Sequence, residues 1–366
     1  MDFHIPYLDI KALQRRFSQR DSEALQELQD LGIYIGGEPV TRFEMDYAQY
    51  CGTQFCIGTG NGLDALTIIL RAEKQLGRLP ENARILVPAH TYIATFLSIT
   101  EAGMHPIPVD VHHLLITKDV VEKHLENVDA IVAVDIYGKL VDDEVYAFAK
   151  ANHKPIYTDA AQSHGAKTSN GDRSGSRGMA SAFSFYPTKN LGALGDAGAI
   201  TTNDEELAVM ARRMANYGRT SRFVNDMKGV NSRLDPLQAS FLNNRLLFLD
   251  NDNKKRKKIA QVYMEQIENP KVKLPPADFL ESNSIHVFPI FLEERDQFVA
   301  YLEDRGIQTN RHYAIPPHQQ LAFKEFNDMS FPQTEYLHDS EVSLPCHPLL
   351  EDHEVQEIVI AINEYS

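Results

Sequence analysis

Apolar residues recur at helical spacing from Leu13 to Leu31, pause at Gly36-Gly37, and recur around Phe43 to Tyr50, which predicts two helices joined by a turn. Beyond them the period changes. Phe55-Cys56-Ile57 reads as a strand leading through a glycine-rich turn into a helix over Leu63 to Leu70, and Arg84 to Val87 as a strand followed by a helix over Ala94 to Ala102. Further short apolar strands are predicted at Ile107-Pro108-Val109, Ala130 to Val134, Ile156-Tyr157, Ala182 to Phe185 and Ala199-Ile200-Thr201. Strands separated by helical segments predict an α/β chain with a largely parallel sheet covered on both faces. From about Asp250 the pattern shifts to a basic helix start at Lys254 to Lys258, a proline-rich linker over Pro270 to Pro276, and strand-helix units to the end. The expected organisation is a large domain over 1–249 and a smaller one over 250–366.

Composition narrows the function classes. The 366 residues are 43% hydrophobic, enough for a large core, and carry a formal net charge of -15. Phosphate neutralisation by a nucleic-acid binder needs a basic face, and none dominates, so an anionic ligand has to be held locally. The run Lys254 to Lys258 offers an anion site, but such runs are ordinarily solvated helix faces. Cys51, Cys56 and Cys346 have neither the count nor the spacing of a disulfide framework or a zinc site, which predicts a reduced, cytoplasmic setting. No apolar run reaches the length of a membrane span, and Met1-Asp2-Phe3-His4 lacks the features of a signal peptide, so a soluble, unexported protein is expected.

Candidate chemistry gathers at a few strand ends. Lys189 lies in Phe183-Ser184-Phe185-Tyr186-Pro187-Thr188-Lys189-Asn190-Leu191-Gly192, flanked by hydroxyls and aromatics, and Asp159-Ala160-Ala161-Gln162 lies upstream. A lysine amine forms a Schiff base with the aldehyde of pyridoxal phosphate, and a carboxylate keeps its pyridine nitrogen protonated, so the pairing points to that cofactor. Alone, a lysine after a strand reads as a surface charge and an aspartate there as a helix N-cap. Gln162, one helical turn on, is placed to meet the cofactor's phenolic oxygen or to lie exposed. Ser184 offers a hydroxyl to the phosphate. Gly58-Thr59-Gly60-Asn61-Gly62, between a strand and a helix, suits one phosphate or is a plain tight turn; Leu63 stands where a dinucleotide fingerprint needs its third glycine. No GxxxxGK[ST] loop occurs. Tyr92, after Pro88-Ala89-His90-Thr91, either stacks on a flat heterocycle or packs in the core.

Together these segments resemble the DegT/DnrJ/EryC1 family of pyridoxal phosphate-dependent sugar aminotransferases, which have the type I aspartate aminotransferase fold. Further carriers are Tyr34-Ile35-Gly36-Gly37, Asn216-Tyr217-Gly218, Asn231-Ser232-Arg233-Leu234-Asp235-Pro236, and Arg311-His312-Tyr313 with Pro317-His318. The resemblance implies that Lys189 carries the cofactor and shuttles the proton, that Asp159 pairs with the pyridine nitrogen, and that Gln162 faces the phenolic oxygen. It implies phosphate contacts from Gly60, Asn61 and Ser184, and stacking by Tyr92. Asn231 is expected to reach the cofactor phosphate of a neighbouring subunit in a homodimer, or else to cap a helix over Leu237 to Phe248. Tyr186, His312, Tyr313 and His318 are expected near a sugar nucleotide. Asn61-Gly62-Leu63-Asp64-Ala65-Leu66 and Ala89 to Thr95 resemble the 3-ketosugar branch, implying a dTDP-linked 3-keto-6-deoxyhexose as substrate, L-glutamate as amino donor, and a role in deoxyamino-sugar and glycan assembly. Action at a 4-keto position, or a non-catalytic binding protein on the same fold, are the alternatives.

Overall fold

Short runs rich in β-branched residues and alanine build a seven-stranded sheet in the computed structural model, which describes residues 3–366; Met1 and Asp2 of the N-terminal reading lie outside the described residues. The strands are β1 (Phe55–Thr59), β2 (Arg84–Pro88), β3 (His105–Val109), β4 (Ala130–Val134), β5 (Ile156–Asp159), β6 (Ala180–Ser184) and β7 (Gly198–Thr202), in the order β1-β7-β6-β5-β4-β2-β3. Only β7 runs against its neighbours; the other pairs in the sheet are parallel.

Alternation along the strands divides the core. Ile85, Val87, Ala130 and Val132 pack with Ala65, Leu66 and Ile69 of the helix Gly62–Gln75, whereas Leu86, Ile131 and Ala133 face the opposite cluster. That second cluster also holds Tyr263, Phe288 and Ile290, so one core runs through the point expected to divide 1–249 from 250–366. Ile5 likewise pairs with Ile307. A hairpin of β8 (Arg219–Ser221) and β9 (Val224–Asn225) follows the sheet, and β10 (Phe288–Phe291) pairs antiparallel with β11 (Glu341–Leu344).

Three local expectations change. The helical stretch Leu13 to Leu31 is two helices, Ile10–Arg15 and Ser18–Leu31, because Phe17 turns inward against the Phe248 ring and the Arg245 guanidinium. The basic helix starts earlier, at Leu249, and runs to Gln266. The proline-rich segment is not a loose linker: Lys273 exchanges both backbone hydrogen bonds with Phe291. Among the described residues no helix is long and apolar enough to cross a membrane, and the three cysteines are free and buried.

Candidate active site

Parallel strands all present their carboxyl ends at one edge of the sheet, and ligand sites of such sheets form there. Asp159 ends β5, Ser184 ends β6, and Tyr92 follows β2. Because β1 points the same way, its following turn delivers Asn61 and the amino end of the helix Gly62–Gln75 to that edge. The resulting cavity is about 620 Å³ and is lined by Asn61, Tyr92, Asp159, Gln162, Ser184 and Lys189, with Tyr186, His312 and Tyr313.

Asp159 does not cap a helix, since none follows. Its Oδ1 accepts from the Ala161 N–H at 3.2 Å, which turns the chain, and its Oδ2 accepts from the Thr95 hydroxyl at 2.8 Å. Burial pushes its pKa up, while Thr95, the Ala161 N–H and the Lys189 ammonium oppose that shift by favouring the carboxylate. Lys189 sits in a loop held closed by Phe185 N–H to the Ala197 carbonyl and Ala193 N–H to the Phe185 carbonyl, both at 2.8 Å. Gly192 is needed there because a Cβ would lie 2.6 Å from the Pro187 carbonyl oxygen. Burial lowers the Lys189 pKa to about 8, against the pull of Asp159. The surface-charge reading of this lysine is therefore set aside: its amine is held close to the neutral, nucleophilic form.

The phosphate-like end of the cavity is built by close approach. A Cβ on Gly62 would lie 2.7 Å from the Ser184 Cβ, so glycine lets the end of β6 rest on the helix start. Asn61 caps that helix, its Oδ1 accepting from the Asp64 N–H at 2.8 Å. Gly62 and Leu63 line the cavity, and their N–H groups precede the first intrahelical bond, which leaves them without a partner inside the helix. Gly60 is different from expectation: it does not line the cavity, and its N–H donates to the Ser232 hydroxyl at 2.9 Å.

Gln162 lies in a turn rather than on a helix, because Asp159 bends the chain at Ala161. It is buried, donating through Nε2 to the Tyr313 hydroxyl at 2.7 Å and accepting from the Tyr137 N–H. Tyr92 is 53% exposed and its ring lies 4.8 Å from that of Tyr313, so core packing does not occupy it. His312 and Tyr313 line the cavity, but His318 does not: it is fully buried in the short 3-10 helix Pro317–Gln319, beside Glu335 at 3.3 Å and edge-on to Phe331. Asn231 is exposed and outside this chain's cavity, and it caps nothing, since the next helix starts at Pro236 with Asp235 as N-cap.

Residues without a local sequence signal complete the site. His286 lines the cavity and bonds Asn190 at 3.0 Å, and burial followed by the Lys189 charge keeps it neutral. Behind His312, the buried carboxylate of Glu341 accepts from the His312 N–H at 2.7 Å and from the Ser343 hydroxyl. The Ser343 hydroxyl oxygen lies 2.7 Å from His312 Nδ1, and burial pushes the Glu341 pKa up to about 7. Alternation along β11 puts Glu341 and Ser343 on one face to do this. Among the described residues no group of histidine, cysteine or carboxylate side chains is arranged to hold a metal ion.

Comparison with known proteins agrees with this geometry. A model of the DegT/DnrJ/EryC1/StrS aminotransferase family matches residues 16–363. The chain is 43% identical over 365 residues, covering 99% of each chain, to the dTDP-3-amino-3,6-dideoxy-alpha-D-galactopyranose transaminase of Aneurinibacillus thermoaerophilus. It is 36% identical over 369 residues, 99% of this chain and 96% of the relative, to the dTDP-3-amino-3,4,6-trideoxy-alpha-D-glucose transaminase of Streptomyces venezuelae. Among solved structures it resembles S. venezuelae DesV in complex with a ketimine intermediate, with a TM-score of 0.93, 35% identity and 98% of each chain covered. It also resembles Bacillus subtilis NtdA with bound cofactor PMP, with a TM-score of 0.89, 27% identity, and 99% of this chain and 85% of that one covered.

Proposed function

The chain belongs to the DegT/DnrJ/EryC1/StrS aminotransferase family, and from that premise we propose that this pyridoxal phosphate-dependent enzyme moves an amino group from L-glutamate to C3 of a dTDP-linked 3-keto-6-deoxyhexose. The observation that carries the reading is one cavity holding both a half-buried amine poised near neutrality, Lys189, and a half-buried carboxylate, Asp159. The names of the two relatives, each a dTDP-3-amino-sugar transaminase, support the sugar and the position.

The residues present fit the cofactor. The Gly62 and Leu63 N–H groups, with Ser184 lining the same cavity, suit a phosphate, and the exposed Tyr92 ring suits a flat heterocycle. When bound, pyridoxal phosphate supplies an electron sink for charge developing at the reacting carbon. Asp159, fixed by Thr95 and Ala161, keeps a pyridinium protonated by charge pairing. The Lys189 amine accepts the donor's α-proton at Nζ and returns it, and positioning of the reacting carbon beside it supplies proximity. Gln162, whose Nε2 donates to the Tyr313 hydroxyl, would meet the phenolic oxygen of the cofactor. Tyr186, Tyr313 and His312, which line the cavity, would face the sugar nucleotide. Asn231 serves the site of a second copy in a homodimer, and the reduced cysteines suit a cytoplasmic enzyme.

The reading is tested by incubating purified protein with pyridoxal phosphate, L-glutamate and a panel of dTDP- and UDP-linked 3-keto and 4-keto sugars. The expected products are 2-oxoglutarate and a dTDP-3-amino-3,6-dideoxyhexose, identified by mass spectrometry and NMR. Amination confined to 4-keto sugars overturns the position, and amination of none overturns the substrate class.

A further inference from the structure

The charge run Lys254 to Lys258 contains one member unlike the rest. The four lysines are exposed, as a solvated helix face requires, but Arg256 is 5% exposed and lies on the buried side of the helix Leu249–Gln266 with Ile259, Ala260 and Tyr263. Its Nη1 donates to the Cys346 carbonyl at 2.6 Å, and the guanidinium makes no other hydrogen bond among the described residues; Nε is buried without a partner. No ion pair among those residues includes Arg256. The nearest acid in sequence, Asp252, is engaged by Arg16 at 2.8 Å. An unpaired buried cation is costly to keep, and a site that keeps one invites an anion.

Arg256 lines a second cavity, of about 290 Å³. Thr188, His286, Asn310 and His312 line both this chamber and the one holding Lys189, so the two share a wall. No acidic side chain lines the smaller chamber; its polar lining is the guanidinium with neutral groups such as Tyr7, Gln308 and Thr309. In a chain of net charge -15, that makes it a locally favourable place for a negative group. The bond from Nη1 to Cys346 and the burial of Nε leave Nη2 as the unbonded donor of the guanidinium, and a guanidinium N–H makes a charge-assisted bond to a carboxylate oxygen.

Resting on the aminotransferase reading, we propose that the unbonded Nη2 of Arg256 receives the distal carboxylate of a dicarboxylic amino donor, so that the smaller chamber selects glutamate-like donors over neutral amino acids. The donor's α-carbon has to lie at Lys189, in the larger cavity. Arg256 is outside that cavity and lines the smaller chamber, meeting Lys189 only across a gap of about 40 Å³, which suits the donor group farthest from the reacting carbon. A nucleotide diphosphate has the same anionic chemistry, and the test separates the two sources.

The test compares L-glutamate with L-glutamine in single-turnover reactions of the cofactor-loaded enzyme. Wild type is expected to favour glutamate by roughly ten- to a hundred-fold, the range of one charge-assisted contact. R256Q is expected to bring that ratio close to one, and R256K to retain part of it, while dTDP affinity stays unchanged. A residue that merely tethers Cys346 would lower both rates together and leave the ratio alone. An unchanged ratio in R256Q overturns the proposal, and so does lost dTDP affinity with the ratio preserved, which assigns the guanidinium to the nucleotide. Should R256Q not fold, wild type decides: glutarate is expected to bind more tightly than valerate by calorimetry, and equal binding overturns the site. Wild type that binds glutarate selectively but transaminates neither donor would sink the aminotransferase reading and leave the carboxylate site standing.

Discussion

Burial and charge pairing act in opposite senses on Lys189 and Asp159, and the balance sets what each side chain can do. Burial lowers the lysine pKa to about 8 and Asp159 holds it from falling further. Capture of pyridoxal phosphate by cofactor-free protein requires the neutral amine, so its rate should rise with pH through a midpoint near 8; a midpoint above 10 would place the reactive amine at an ordinary lysine. Borohydride reduction followed by peptide mapping should find the label on Lys189. Removing the Asp159 charge acts on both partners. In Asp159→Asn the capture midpoint should move below 8, because the group that favours the ammonium is gone. Turnover should fall by roughly 1.5–3 kcal/mol of lost charge-assisted contact, with a smaller change in unfolding midpoint. Unchanged transamination would remove Asp159 from the mechanism.

At the scale of elements, the site depends on two strand ends and a helix start approaching more closely than side chains ordinarily permit. Gly62 rests on Ser184, and Gly198 of β7 lies where a Cβ would be 2.3 Å from the Asn61 carbonyl oxygen. The antiparallel β7 is the wedge: Gly198 pairs with both Thr59 and Ser184, so it sets the spacing between the β1 turn and β6. Gly62→Ala should therefore push the helix start away from Ser184. The expected cost is about 1–3 kcal/mol in stability, as for overpacking elsewhere, with weaker retention of pyridoxal phosphate. Thermal unfolding and equilibrium dialysis measure the two, and an alanine tolerated in both would show that the helix start is not held as described.

Three expected site residues, Gly60, His318 and Asn231, do not line the cavity, and of these Asn231 is the exposed one. Asn231 is exposed, while the next residue, Ser232, is buried and holds the Gly60 N–H, so Asn231 projects from a segment anchored at the turn that leads to the cavity. A twofold dimer in which Asn231 serves the partner's site predicts complementation. Inactive Lys189→Ala chains mixed with inactive Asn231→Ala chains should form heterodimers in which one site carries both lesions and the other neither, and activity should partly return. Subunit exchange shown by mass spectrometry with no regained activity would confine Asn231 to its own chain.

Local order was legible in the sequence because hydrophobic period and strand-end chemistry are written within a few residues. The seven strands, the helix after the Gly58 to Gly62 turn, and the placing of Lys189 and Asp159 after strands were all readable in this way. The break at Phe17, the turn at Gln162 and the early start of the basic helix were not, because distant partners decide them: Phe248 and Arg245 draw Phe17 inward, and Thr95 helps hold the Asp159 carboxylate at the head of the turn. The same holds for His286 beside Asn190 and for the Glu341, Ser343 and His312 chain, whose members come together only when β11 packs behind the cavity. Arg256 is the sharpest case. Within its run it is one basic residue among five, and only the packing of its helix turns four of them to solvent and shuts the fifth inside beside an open chamber. Periodicity is a property of neighbours along the chain, whereas burial, pairing and an unpaired charge are properties of neighbours in space.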